Sequence, residues 1–201
     1  MIENSFKLPQ KQRLISIVAL NIVSTMAQIG QIGLGATLFP IALEAKHVSA
    51  DVIGLTSAAL WFGMLMSLLL AGKLTRWLGY RNTVIAGLLM GALSFILVPQ
   101  LSWQWWSLPA AVIGFGTGLR WIANETWLYR LAPEEARGRV VGIHETLISL
   151  ATVIRPMLTG LIVTYTSSGS LFWQQLVVIA VLFIAIYKNN SYKNTTSLNQ
   201  T

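Results

Sequence analysis

The sequence contains no cysteine and few charged residues, and both absences limit what the chain can be. Without cysteine it forms neither a disulfide nor a thiolate metal site. Charged residues make up only 10% of its 201 residues, whereas a soluble domain carries about 25%. Hydrophobic residues reach 54%. This composition argues against an ordinary soluble domain and is typical of a chain embedded in a bilayer.

Acidic residues are scarce: seven Asp and Glu stand against fourteen Lys and Arg, a net charge of +7. A basic chain can bind nucleic acid. Here, however, the basic residues form short clusters between long apolar runs, which is the pattern of a membrane protein. We therefore expect contact with the lipid bilayer and none with nucleic acid, and we expect neither a cofactor nor a metal.

Six apolar runs are near or above the length of about 20 residues that crosses a bilayer. A basic leader, residues 1–13, precedes the predicted transmembrane bundle, residues 14–187, and a polar tail that we expect to be disordered, residues 188–201, follows it. The first run continues far past a signal-peptide core and lacks a clear cleavage site, so we interpret it as a retained helix. The predicted spans are residues 14–43, 52–71, 83–101, 105–129, 140–165 and 171–187.

The distribution of Lys and Arg predicts the orientation of these spans. Eleven of the fourteen lie on the side that holds both termini, and one, Lys46, lies on the other. Arg120 and Arg155 fall inside spans. Since cytoplasmic loops carry the excess of Lys and Arg, both termini are predicted to be cytoplasmic.

Ionisable residues inside the fourth and fifth spans mark the predicted functional site. A charge at bilayer depth costs a few kcal/mol, so it is paired or faces a polar cavity. At 1.5 Å per residue, Glu125 and Glu145 lie at matching depths of roughly 8–9 Å, and a pair of Arg120 with Glu145 is favoured over one with Glu125. A proton carrier, an ion-pair network that closes a gate, and direct contact with cargo all fit this pattern. The candidates for transport or proton coupling are Arg120, Asn124, Glu125, Glu145 and Arg155.

Polar residues also recur at helical spacing on two other faces. In the first span they are Asn21, Thr25 and Gln28, and in the fifth span Ser149 and Thr152 follow Glu145. Hydrogen bonding between helices and the wall of a polar cavity are both consistent with the first-span face. We take these residues as cavity-lining candidates. His144 is interpreted as a packed or hydrogen-bonded side chain.

A weak internal repeat relates the two halves of the chain. Residues 51–55 resemble residues 139–143 at an offset of 88, and Gly72 and Gly160 align at the same offset. The two copies begin on opposite sides of the membrane. The fold predicted is therefore an all-α membrane protein whose six transmembrane helices form two inverted three-helix repeats.

Three short motifs resemble those of the major facilitator superfamily. The segment Gly72–Arg81 is similar to the family's loop signature G-x-L-x-D-R-x-G-R-[RK], although Arg76 stands where the family has Asp. Pro156 and Gly160 are similar to the antiporter signature of the fifth span, where Arg155 replaces a glycine. The third motif looks like the family's second cytoplasmic loop, and the residues that would form the gating loops are Gly72, Gly79, Arg81, Arg137, Gly138 and Arg139.

The resemblance implies a secondary transporter of a small molecule, by analogy in the bacterial inner membrane. It places spans one, two, four and five around the cavity, and the arginine on span four of proton-driven antiporters resembles Arg120 in place. It covers nearly the whole chain but corresponds to the first half of the usual twelve-span protein. We therefore expect a homodimer, or a second half-transporter chain, as the partner.

Two other function classes are open. The chain could be a non-transporting membrane scaffold or a decayed fragment. An intramembrane protease would need a Ser in a Gly-x-Ser-Gly context and a His on another span. Ser168 lies in a predicted loop with no matching His after it. We therefore predict that the chain is not an enzyme.

Overall fold

A computed structural model describes residues 10–29 and 35–165 of the chain. These residues form α-helices and short 3-10 turns, and no β-strand occurs among them. The all-α prediction is confirmed for this part of the chain. The helices are α1 (Gln10–Ala27), α2 (Gly35–Glu44), α3 (Ala50–Leu78), α4 (Tyr80–Leu97), α5 (Ser107–Leu131) and α6 (Arg137–Tyr165).

Three helical stretches of the described residues are long and apolar enough to cross a membrane. They are Ala50–Leu78, Tyr80–Gln100 and Glu134–Leu158. The predicted first span corresponds to α1 and α2 together. The predicted sixth span and the tail lie outside the described residues, as does most of the leader. The count of six spans and the inverted repeat therefore stay predictions.

The helices extend beyond the predicted spans into the charged segments. We expected a loop over residues 72–81, but α3 continues to Leu78 and α4 begins at Tyr80, so the break is Gly79 alone. Lys and Arg are good helix formers, so a charged segment need not end a helix. Gly79 has a φ of 81°, a left-handed conformation that glycine adopts without strain. Similarly, α6 begins at Arg137, inside the predicted loop 130–139.

Glycines let α5 pack closely against α3 and α4. A Cβ atom on Gly114 would collide with the Leu60 carbonyl of α3. One on Gly116, on the other side of α5, would lie 2.7 Å from the Gly87 carbonyl oxygen of α4. Small residues at such contacts let membrane helices approach until their backbones touch. This packing makes α5 the central helix of the described bundle.

Cation–π contacts mark the two ends of the bundle. At one end, the Lys46 ammonium lies 5.8 Å from the centre of the Trp106 ring, and Trp106 packs edge-on against Phe39 at 5.9 Å. At the other end, the Arg130 guanidinium lies 5.1 Å from the centre of the Tyr80 ring. The break between α3 and α4 therefore lies beside the end of α5, on the side predicted to be cytoplasmic.

Candidate functional site

Polar side chains from α1, α5 and α6 meet where these helices pack, and all of them are buried or half-buried except Glu145, which is exposed. They interrupt helices whose other buried residues are mostly apolar or small. We call this group the inner polar cluster. Its members are Asn21, Ser24, Arg120, Asn124, Glu125, His144 and Glu145.

One hydrogen bond joins α1 to α5 within the cluster. The Asn124 Nδ2 atom donates to the Ser24 Oγ atom at 2.6 Å, and the two residues are 1% and 2% exposed. The Asn124 Oδ1 atom is buried and has no hydrogen-bond partner among the residues that the structure describes. A buried amide oxygen in this state is an acceptor available to a bound molecule or to water.

A second hydrogen bond joins α1 to α6. The His144 Nδ1 atom lies 2.9 Å from the Asn21 Oδ1 atom, and both residues are buried. The Asn21 amide is held in place because its Nδ2 atom donates to the Ile17 carbonyl at 2.9 Å. The Asn21 Oδ1 atom is then the acceptor, so the His144 Nδ1 atom is the donor.

The carboxylates of α5 and α6 approach each other around His144. One ligand atom from each of Glu125, His144 and Glu145 lies within 4.8 Å of the other two. The Trp121 indole nitrogen donates a hydrogen bond to the Glu125 Oε1 atom. Arg120 is only 2% exposed and interacts electrostatically with Glu125 and His144. Two acids, a histidine and an arginine thus form one charged group at the α5–α6 contact.

The other transport and cavity candidates belong to the first and fifth predicted spans, and not all of them are buried. Gln28 is buried just after α1, and Thr25 donates to the Asn21 carbonyl of its own helix at 2.8 Å. On α6, Ser149 and Thr152 are exposed. Arg155 belongs to α6, but the structure does not describe its side chain.

The predicted gating residues lie at the end of the bundle marked by Tyr80 and Arg130. Gly72 is inside α3, Arg81 is in the first turn of α4, and Arg137, Gly138 and Arg139 are exposed at the start of α6. Arg137 pairs with Glu134 at 3.9 Å, in an exposed position. The contact of Arg130 with Tyr80 thus brings the first and third motifs together, although Gly72 lies seven residues before Gly79, inside α3.

Sequence reasoning left Ser24 and Trp121 out of the site and interpreted His144 as a packed or hydrogen-bonded side chain, which agrees with its contact with Asn21. Ser24 follows Asn21 by three positions, so the helical spacing that selected Asn21 and Gln28 could also have selected it. Trp121 precedes Glu125 by four positions, which is a contact distance on a helix. Nothing local in the sequence pairs His144 with Asn21, 123 positions away.

Apolar helices around a buried, hydrogen-bonded polar cluster define the class of this protein: a helical integral membrane protein with a polar interior. The match to a known family is specific. Residues 20–200 match the family model described as Major Facilitator Superfamily. The chain belongs to this family, as the resemblance of its motifs predicted.

Curated relatives are named as MFS-type transporters or for tetracycline resistance. An uncharacterized MFS-type transporter of Yersinia pestis (strain Pestoides F) is 27% identical over 150 residues, which are 73% of this chain and 38% of the relative. The tetracycline resistance protein, class C, of Escherichia coli is 29% identical over 178 residues, 85% of this chain and 43% of the relative. An uncharacterized MFS-type transporter of Bacillus subtilis (strain 168) is 23% identical over 167 residues, 82% and 42% respectively. The chain spans about two-fifths of the length of these relatives.

Proposed function

We propose that the chain acts in the secondary active transport of a small solute across a bacterial inner membrane, with both termini in the cytoplasm. The inner polar cluster is the site that handles the solute or the coupling ion. The observation that carries this proposal is the hydrogen-bonded contact of α1 with α5 and α6, made by buried side chains of otherwise apolar helices. Family membership supports it independently.

The energetics of the cluster favour a functional role over a purely structural one. A buried ionisable group in a membrane helix is costly and marks an ion or substrate path by default. Apolar side chains would hold these helices together without that cost. Moreover, the Asn124 Oδ1 atom has no hydrogen-bond partner among the described residues, and a purely structural network would be expected to satisfy it.

We propose the proton as the coupling ion. Glu125 supports this choice because it is half-buried in α5, away from the exposed acids Glu134 and Glu135 of the following turn. Its neighbours are charged groups of both signs, Arg120 and Glu145. A carboxylate between α5 and α6 can link the binding of a proton to the relative position of these two helices.

We further propose that a second bundle, either another copy or a second half-transporter chain, covers the exposed face of α6. Val153 and Met157 are 66% and 68% exposed on this helix, and Glu145, Ser149 and Thr152 are exposed beside them. Apolar side chains tolerate lipid. A glutamate at membrane depth does not, and normally faces a protein interior or a water-filled cavity. The covering bundle would complete a cavity around Glu145.

Flux through reconstituted protein tests the proposal. Tetracycline is the first probe, because one relative is a tetracycline resistance protein, and a panel of amphipathic drugs and sugars extends the search. We expect solute flux that depends on an imposed pH gradient and is absent from protein-free liposomes. A scaffold or a decayed fragment predicts no flux with any probe, and an intramembrane enzyme predicts peptide cleavage instead.

A further inference from the structure

Three side chains of the inner polar cluster have the chemistry and the placement of metal ligands. Glu125 comes from α5, and His144 and Glu145 come from α6. One oxygen or nitrogen atom from each lies within 4.8 Å of the others. The sequence by itself predicts no metal here, because Glu125 and His144 lie 19 positions apart on different helices.

The imidazole is held as a metal-ligating histidine usually is. His144 is 2% exposed, and its Nδ1 atom donates to the Asn21 Oδ1 atom at 2.9 Å. The Asn21 amide is itself fixed by its bond to the Ile17 carbonyl at 2.9 Å. With the proton on Nδ1, the lone pair of the neutral ring is on Nε2. A second-shell hydrogen bond of this kind fixes the tautomer and the ring orientation of a ligand histidine.

The Glu125 carboxylate is positioned in the same way. Its Oε1 atom accepts a hydrogen bond from the Trp121 indole nitrogen, one helical turn earlier on α5. This bond restricts the side chain and leaves the Oε2 atom as a ligand. Glu145 is exposed, so its side chain is free to close on an ion. Metal bonds of about 2.0–2.2 Å place neighbouring ligand atoms roughly 3.3 Å apart. The three side chains must therefore close on the ion from within 4.8 Å of one another, and rotation of the exposed Glu145 supplies part of that contraction.

We propose that Glu125, His144 and Glu145 bind a divalent transition-metal ion. One imidazole and two carboxylates suit Zn²⁺, Mn²⁺, Fe²⁺ or Co²⁺ better than Mg²⁺ or Ca²⁺, which prefer oxygen ligands alone. Three protein ligands leave a coordination position open for water or a solute group. The two carboxylates outweigh the single positive charge of Arg120 nearby, so the site still attracts a cation.

This inference goes beyond the proposed function, because it names a ligand that binds whether or not the chain transports it. Binding is measured on the purified protein in detergent, without a solute or a gradient. A failure of metal binding and a failure of transport are therefore separate results. The protein must carry a purification tag without histidine, so that the tag does not bind the metal.

The test is a Co²⁺ titration followed by visible absorption, with Zn²⁺ added to displace the Co²⁺ and isothermal calorimetry to count the bound Zn²⁺. We expect one ion per chain and a d–d band that Zn²⁺ abolishes. Glu145→Gln should weaken Zn²⁺ binding at least about tenfold, as should Asn21→Leu, which removes the hydrogen bond to the ligand histidine. Excess Mg²⁺ should not displace the Zn²⁺.

Two variants serve as matched controls. His47→Ala removes the other histidine of the chain, which lies in the turn before α3, and Glu134→Gln removes an exposed acid of the turn before α6. Both should bind Zn²⁺ as the unaltered chain does. His144→Ala would also break the contact with α1. Glu145→Gln is therefore the decisive variant, because the side chain of Glu145 is exposed. The proposal is overturned if the folded chain binds no Zn²⁺, or if Glu145→Gln binds it unchanged.

Discussion

Asn21 and Asn124 are the amides that tie α1 to the rest of the described bundle. Each makes one hydrogen bond to another helix, through Oδ1 to His144 and through Nδ2 to Ser24 respectively. In an apolar environment these bonds give directionality that side-chain packing alone does not. They fix which face of α1 meets α5 and α6.

The bond between Ser24 and Asn124 should be measurable as a coupling energy. In a double-mutant cycle with Ser24→Ala and Asn124→Ala, we expect the two effects on unfolding in detergent to be non-additive by about 0.6–1.7 kcal/mol, the range found between membrane helices. The control pairs Ser24→Ala with Thr126→Val, since the Thr126 hydroxyl donates to the Ile122 carbonyl of its own helix at 2.7 Å. Additivity in the first pair would show that this bond contributes nothing.

Removal of the Glu125 charge should uncouple transport from the proton gradient. We expect Glu125→Gln to lower gradient-driven flux at least about tenfold, in line with the size of proton-transfer effects elsewhere. Its hydrogen bond from Trp121 can persist, because a glutamine oxygen also accepts. Glu134→Gln, on the exposed turn, should leave the flux unchanged. Equal gradient dependence in both variants would contradict a role for Glu125 in coupling.

At the scale of helices, the packing of α5 depends on glycine more than on large apolar side chains. Gly114 and Gly118 face α3, and Gly116 faces α4 at Gly87. A helix with glycines on two sides can approach two neighbours at once. The same contact brings the start of the Arg120 side chain against Gly87, so the glycine packing positions the backbone end of this arginine.

The close contact at Gly114 predicts that alanine, which ordinarily stabilises a helix relative to glycine, is destabilising at this position. Alanine in place of glycine in a helix interior stabilises it by about 0.8–1.0 kcal/mol. At Gly114, however, the new Cβ would meet the Leu60 backbone, and overpacking costs typically 1–3 kcal/mol. We therefore expect Gly114→Ala to lower the melting temperature in detergent. Gly54→Ala on α3, where an added Cβ would meet no other described part of the chain within 4 Å beyond its own turn of helix, should not lower it. Similar melting temperatures for the two variants would refute the close packing.

At the scale of the whole molecule, the two ends of the bundle should face opposite sides of the membrane. Lys46 lies before the start of α3, whereas Glu134 lies just beyond Arg130, which contacts Tyr80 after the end of α3. The chain has no cysteine, so a single introduced thiol reports its own location. We expect Lys46→Cys to react with an impermeant maleimide on intact cells, and Glu134→Cys to react only after permeabilisation. The reverse pattern would overturn the predicted orientation.

The composition and charge pattern determined the class of this protein. Few charges, long apolar runs and a biased distribution of Lys and Arg predict a helical membrane protein, because a bilayer tolerates little else. The short motifs around Gly79 and Arg139 predicted the family, which the match over residues 20–200 confirms. The sequence predicted the site in the fourth and fifth spans because a buried charge is costly wherever it occurs. A charged residue inside a long apolar run can be recognised from the sequence alone.

The tertiary structure decided which polar residues meet. His144 meets Asn21 across 123 positions and Asn124 meets Ser24 across 100; both contacts depend on how three helices are rotated and packed. Helical spacing gives the face of each helix but not its partner. The glycine contacts of α5 set its packing against α3 and α4, through close backbone approach that only the assembled bundle contains. The loop between α3 and α4 likewise shrinks to Gly79, because backbone conformation, not hydropathy, ends those helices.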